Sequence, residues 1–272
     1  MSSTDADAVR STPVAALEAV AARGWQALET EPMGGWLLRA SGGFTGRANS
    51  VLPLGDPGLD LGEAIDTAVA WYAVRGLGPR FLLPLPDAQP VDDELVRRGW
   101  RLGDVVHVLV APVRPLADAH AEDRADDRRE VRVDDRPDEA WMGSYHYRGG
   151  DLPPHARQVL ENGASPAFAS VRAADGTVLA VARGSVDADP TPGGLAWRGV
   201  TAVEVDPAVR RQGLGGLVLR GLAAWAVGRG AVGCYLQVAA ENEPALRLYG
   251  GVGFVRHHDY CYRLPSDQVS GT

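Results

Sequence analysis

The sequence predicts an α/β (α+β) fold, and three observations carry the prediction. Residues 201–206 alternate small or branched apolar residues with polar ones and stop at Asp206-Pro207, the pattern of a strand ended by a residue that cannot continue the ladder. Directly afterwards, Arg210-Arg211-Gln212-Gly213-Leu214-Gly215-Gly216 packs three glycines and two arginines into seven residues and runs into 217–225, whose apolar spacing is helical. Strand-like and helical stretches also recur at one offset: Ala70-Trp71 and Ala224-Trp225, Arg75-Gly76 and Arg229-Gly230, Gly99-Trp100 and Gly253-Phe254 each lie 154 residues apart. A duplicated half accounts for all three pairs.

Taken in order, residues 1–12 are small and polar and read as disordered. Residues 13–24 read as a helix with proline in its first turn, which 25–28 extends. Residues 35–40, 41–46 and 47–54 read as strand, turn and strand. Over 61–76, apolar residues at Leu61, Ile65, Val69, Tyr72 and Ala73 give a helical period. A strand over 81–85, a short helix over 92–98 and a strand over 105–110 complete the first half, 13–111. Residues 112–130 carry prolines and a charge run from Glu122 to Glu130, the composition of a linker. The second half, 131–265, opens with a strand over 131–133 and helical stretches within 137–147 and 153–161. Residues 167–171 and 177–186 form a hairpin around Asp175-Gly176. A loop over 187–194 leads to the strand and helix described above, and a strand over 235–238, a helix from Asn242 and a final strand follow.

Composition narrows the function. With 272 residues and 45% hydrophobic content the chain can fill ordinary cores. No run of eighteen apolar residues and no basic, then apolar, N-terminal segment occurs, so neither a membrane span nor a signal peptide is expected, and the expected location is the cytoplasm. A formal charge of -8 argues against nucleic acid as a partner and suits a cationic acceptor. Cys234 and Cys261 fall in strand-like stretches and read as free buried thiols, with no metal site. All 27 basic residues are arginine, so the chain has no lysine of its own.

A glycine-rich turn opening a helix aims unpaired N–H groups and a positive dipole end at one point, and the glycines let an anion approach the backbone. A phosphate suits such a place. A Walker loop needs Gly-Lys-Ser/Thr, which a lysine-free chain cannot supply, and a dinucleotide fingerprint fails at Val218. What fits is Arg-x-x-Gly-x-Gly at Arg210, Gly213 and Gly215, followed by Asn242-Glu243-Pro244-Ala245-Leu246-Arg247-Leu248-Tyr249 and Gly253-Phe254. Together these resemble the acyl-CoA signature of GNAT-family N-acetyltransferases. The resemblance covers 131–264 well and the first half from about Gly35 to Val110. It implies the GNAT fold, a central mixed sheet flanked by helices, with a degenerate N-terminal GNAT-like half as in tandem actinobacterial proteins. Opposite Arg210, Gly213, Gly215, Asn242 and Tyr249 the first half carries Asp56, Leu59, Leu61, Ala88 and Leu95. Asp56 and Asp60 would repel a pyrophosphate, so one site per chain is expected.

The resemblance also implies roles. Acetyl-CoA is the co-substrate, its pantetheine arm against the backbone at Val203 and Val205 and its pyrophosphate on Arg210, Arg211, Gln212, Gly213, Leu214, Gly215 and Gly216. Tyr249 matches the tyrosine that protonates the departing thiolate. Asn242 matches the asparagine that contacts the CoA arm and also reads as a helix N-cap. Glu204 is the candidate general base, because Gln237 stands where some relatives carry a glutamate. Tyr145 and His146, with Trp141, Tyr147 and Arg148, lie in the segment that lines the acceptor cleft, while His257 and His258 read as surface or packing residues. The expected activity is N-acetyl transfer to a small-molecule or peptide primary amine, and the alternative is a non-catalytic acyl-CoA-binding regulator. The acceptor's identity, the size of the acyl group and homodimer formation stay open.

Overall fold

The computed structural model describes residues 3–126 and 130–266. The first half runs α1 (Ser3–Arg10), α2 (Val14–Gly24), β1 (Glu29–Met33), β2 (Trp36–Ala40), β3 (Leu52–Pro53), α3 (Leu61–Ala73), β4 (Phe81–Leu85), α4 (Gln89–Arg97) and β5 (Arg101–Pro112). Helix α5 (Val113–Asp126) joins it to β6 (Val131–Asp134), α6 (Glu139–Gly143), α7 (Ala156–Glu161), β7 (Pro166–Arg172), β8 (Val178–Ala188), β9 (Ala196–Val205), α8 (Leu214–Val227), β10 (Gly233–Ala239), α9 (Glu243–Gly251) and β11 (Val255–Leu264). The repeat is visible in these bounds: α4 and α9 begin at Gln89 and Glu243, and β5 and β11 at Arg101 and Val255, both pairs 154 apart.

Strands β1, β2 and β3 form a small sheet, and the other eight form one mixed sheet in the order β4-β11-β5-β10-β9-β8-β7-β6. Only β9 and β10 pair in parallel within it. The two halves have exchanged their last strands. β5 lies between β10 and β11, pairing from Gly233↔Pro112 to Ala239↔Val106 on one side and from Val255↔Val110 to Leu264↔Arg101 on the other. β11 in turn lies between β5 and β4. Exchanging β4 with β10 and β5 with β11 maps this part of the sheet onto itself, as a duplicated half should.

Helices cover both faces. On one, Leu17 and Val20 of α2 pack on Val106, Val108, Tyr235 and Tyr260, and the buried Glu18 carboxylate meets His258 Nε2 at 3.0 Å. On the other, α8 packs Leu217, Val218 and Leu222 on Ala169, Ala180 and Ala182 of the sheet. Its far side, with Leu219 and Ala223, meets Val113 and Leu116 of α5. A helix apolar all round is therefore buried all round.

Several expectations change. Residues 3–10 form α1, with Val9 fully buried, so this stretch is ordered by one apolar anchor that composition hid. The segment read as a linker is mostly α5, because Val113 and Leu116 bury against α8; its residues 127–129 lie outside the described ones. The strand read over 47–54 shrinks to Leu52–Pro53. Asn49 ties the rest into a loop, its Oδ1 accepting the N–H groups of Ser41 and Gly43 and its Nδ2 donating to the carbonyls of Phe44 and Thr45. The helix read over 137–147 is cut to Glu139–Gly143, capped at Asp138. Two expectations hold: His258 is a packing residue, buried against Glu18, and both cysteines are free and buried.

Candidate active site

The site begins where two strands part. β9 and β10 pair from Gly233↔Trp197 to Leu236↔Val200, yet β9 runs on to Val205 and β10 to Ala239. Beyond Val200 the β10-facing edge of β9 has no strand partner, while its other edge stays paired with β8 as far as Ala180↔Val205. A backbone edge so exposed accepts an extended, amide-bearing ligand as an added strand. Ala202, at φ 52, sits at the β8–β9 register shift that bends the strand there.

The glycine turn follows. Gly213 takes φ 78, which glycine adopts without penalty, and caps α8 with no side chain to accept a hydrogen bond. Leu217 N donates to Gly213 O, which leaves the N–H groups of Leu214, Gly215 and Gly216 without partners among the described residues. Arg210 anchors the turn through Nε to the Val205 carbonyl at 3.2 Å, and Arg211 is held at φ 65. Gly215 has a second reason to be glycine: a Cβ there would meet Leu248 Cδ2 of α9 at 3.0 Å. At the matching helix of the first half, Asp60 accepts from Gly62 N at 2.9 Å. There an internal carboxylate caps the helix.

A cleft of about 600 Å³ joins these features; Val203, Glu204, Val205, Arg210, Arg211, Gly213, Leu214, Gly215, Asn242, Tyr249 and His146 all line it. Three sequence-predicted residues are outside its wall: Gln212 is exposed on the turn, Gly216 is buried in α8, and Tyr145 is buried beside Trp141. Val203 and Val205 pack into the α8 core, so by strand alternation Glu204 faces the other way, toward the acceptor segment. There Glu204 Oε2 accepts the His146 N–H at 2.7 Å, and Oε1 lies 3.4 Å from His146 Nδ1. Asn242 Oδ1 accepts from Ala245 N at 3.2 Å as the cap of α9. Tyr249 is 8% exposed, its hydroxyl has no hydrogen-bond partner among the described residues, and burial pushes its phenol up to about 12. A proton donor and an anchored carboxylate thus share one cleft with an open helix N-terminus.

A family model described as "Probable histone acetyltransferase Rv0428c C-terminal" matches residues 11–263, nearly the whole chain. The chain is 31% identical over 271 residues to "Probable histone acetyltransferase Rv0428c" of Mycobacterium tuberculosis, covering 98% of this chain and 78% of that one. It is 28% identical to an N-acetyltransferase, YobR, of Bacillus subtilis, covering 91% of this chain and 97% of that one. The chain belongs to the GNAT family of acetyltransferases. A GCN5-related N-acetyltransferase from Kribbella flavida shares the GNAT fold, with TM-score 0.66, 15% identity and 94% and 96% of the two chains covered. A tandem GNAT protein from the clavulanic acid biosynthesis pathway follows at TM-score 0.53, with 14% identity and 82% and 76% covered. The chain is accordingly an acyltransferase of the GNAT fold, whose family uses acetyl-CoA. No helix among the described residues is long and apolar enough to cross a membrane.

One residue near the parting of β9 and β10 escaped the sequence reading. Arg47, on the Asn49-tied loop of the first half, donates from Nη1 to Gln237 Oε1 at 2.6 Å, just past the last β9–β10 pair. No motif marks it, because loop and strand meet only in the folded chain.

Proposed function

We propose that the protein transfers an acetyl group from acetyl-CoA directly to a primary amine, with the reacting and acetyl-CoA-binding residues in the 131–265 half and the first half as a non-catalytic copy. The observation that carries this reading is the convergence of an unpaired strand edge, an open helix N-terminus, Glu204 and Tyr249 on one cleft. The strand edge at Val203 and Val205 takes the pantetheine amides, and Arg210, Arg211 and the N–H groups of Leu214–Gly216 take the pyrophosphate. Glu204 accepts the amine's proton as the N–C bond forms, and Tyr249 gives its proton to the sulfur as the C–S bond breaks. The name of the Mycobacterium relative points to protein amines as one acceptor class.

Glu204→Gln preserves shape and removes the base, so turnover should fall by roughly a hundred- to ten-thousand-fold in a CoA-thiol release assay across an amine panel. The loss should shrink at high pH, where amines deprotonate unaided. The contact between Glu204 and His146 supports a second reading, in which the carboxylate orients His146 as the base. Under that reading His146→Gln lowers turnover as much as Glu204→Gln does; under the first it changes turnover little. Tight acetyl-CoA binding with no thiol release for any amine favours the regulator alternative.

A further inference from the structure

We propose that the acceptor is a small amine that also carries a carboxylate, and that Arg47 of the first half holds that carboxylate. The inference rests on the acetyl-transfer reading of the same cleft and names its substrate class.

Arg47 stands on a rigid support. The four hydrogen bonds of the Asn49 side chain, at 2.7 to 2.9 Å, fix the loop over 41–50. The loop docks on the acceptor segment through Phe44, whose ring lies 5.4 Å from that of Tyr147, and through the Ser41 carbonyl, 3.0 Å from His155 Nε2. The Arg47 guanidinium carbon then lies 5.1 Å from the Trp25 ring centroid, and Nη1 donates to Gln237.

Arg47 lacks an acid, as buried Arg39, Arg183 and Arg198 do, but unlike them it is only part-buried and stands beside the parting of β9 and β10. Buried Arg183 spends Nε, Nη1 and Nη2 on the carbonyls of Leu160, Gly24 and Asn162, and Arg263 forks onto Asp92. Part-buried Arg47 makes one hydrogen bond, to a neutral amide, and pairs with no carboxylate among the described residues. The titratable groups that face it are Tyr145, Tyr147, Tyr235, Tyr249, Tyr260, Tyr262 and the cation Arg183. None of its nitrogens is among the sealed, unpartnered atoms, so the rest of the fork meets accessible space. A partly desolvated guanidinium without a counter-ion favours an anion, and its planar fork matches a carboxylate. Since Gln237, not glutamate, fills the neighbouring position, the chain leaves that charge for a ligand to neutralise. Arg47 and Glu204 both act electrostatically on Tyr145, so charges of opposite sign flank one segment, complementary to an amine and a carboxylate on one small molecule.

The test compares matched acceptors: an amino acid, its carboxamide and its decarboxylated amine, read by thiol release, with acetyl-CoA calorimetry in parallel. The wild type should prefer the carboxylated acceptor by about ten- to a hundred-fold in kcat/KM, the size of one charge-assisted hydrogen-bonded pair. Arg47→Gln should erase the preference through KM. Gln237→Glu, which leaves the loop intact and supplies an internal carboxylate to the fork, should erase it too. Equal kcat/KM for the acid and its amide in the wild type, or a preference that survives both substitutions, overturns the inference and leaves acetyl transfer standing. Absence of acetyl-CoA binding overturns both.

Discussion

In the proposed reaction Tyr249 takes one late step, and its burial bears on that step. Burial holds its phenol at about 12, so it stays protonated at neutral pH and can still give its proton to a nascent thiolate. Tyr249→Phe should lower kcat by about a hundredfold or more while changing the acetyl-CoA dissociation constant little. Equal turnover in mutant and wild type would leave Tyr249 as a packing partner of Phe254 alone. Because a raised value delays loss of the proton, kcat should show no fall from this group up to about pH 10, the ordinary tyrosine value. Glu204 belongs at the same scale. Its position opposite Val203 and Val205 follows from strand alternation, but its anchoring on His146 needed the loop that carries His146 to fold over β9.

Among the elements, α8 and α3 are the instructive pair. Both open within one residue of the same place in the repeat, yet Gly213 leaves α8 without a side-chain cap while Asp60 closes α3 with its own carboxylate. Gly213→Asp places an anion where the proposed function puts the pyrophosphate, in open space that admits the side chain and at a φ that aspartate tolerates better than most residues. Acetyl-CoA affinity should drop at least about tenfold, the loss of one charge-assisted hydrogen bond, with a largely unchanged melting temperature. Gly215→Asp is a poorer probe, because its Cβ strikes Leu248 and would disturb the packing of α8 against α9. Asp60→Ala should cost about 1 kcal/mol of stability in urea unfolding and create no second acetyl-CoA site, since Leu59, Leu61 and Ala88 still replace the binding residues.

At the scale of the whole molecule, the exchanged strands make the two halves one folding unit. Residues 131–265 expressed alone lack β5, leaving facing edges of β10 and β11 unpaired and removing Leu109 and Ala111 from the core beneath α8. Such a fragment should show no cooperative thermal transition; a folded fragment that binds acetyl-CoA would mean that β11 can close directly on β10. In the full chain, calorimetry should return a stoichiometry near one acetyl-CoA per chain. A value near two would require the Asp60-capped half to bind as well.

By itself the sequence determined the family motif and the 154-residue offset. The spacing of Arg210, Gly213 and Gly215, the Asp-Pro stop before them and Asn242 to Tyr249 after them are short-range patterns, and backbone geometry over a few residues is set by those residues. The 154-residue offset was legible for the same reason, since it survives in dipeptides that mark helix ends and turns. Tertiary structure alone decided the rest. Strand order depends on pairings between residues more than a hundred apart, so the exchange of β5 and β11 left no local trace, and α5 passed for a linker until α8 supplied its partner. Residues 41–50 look like turn and strand locally, but Asn49 ties them into a loop that carries Arg47 across to Gln237, 190 positions away. The glycine turn is a property of neighbouring residues; the proposed acceptor contact belongs to the meeting of the two halves, where the partners of each residue are chosen by the fold.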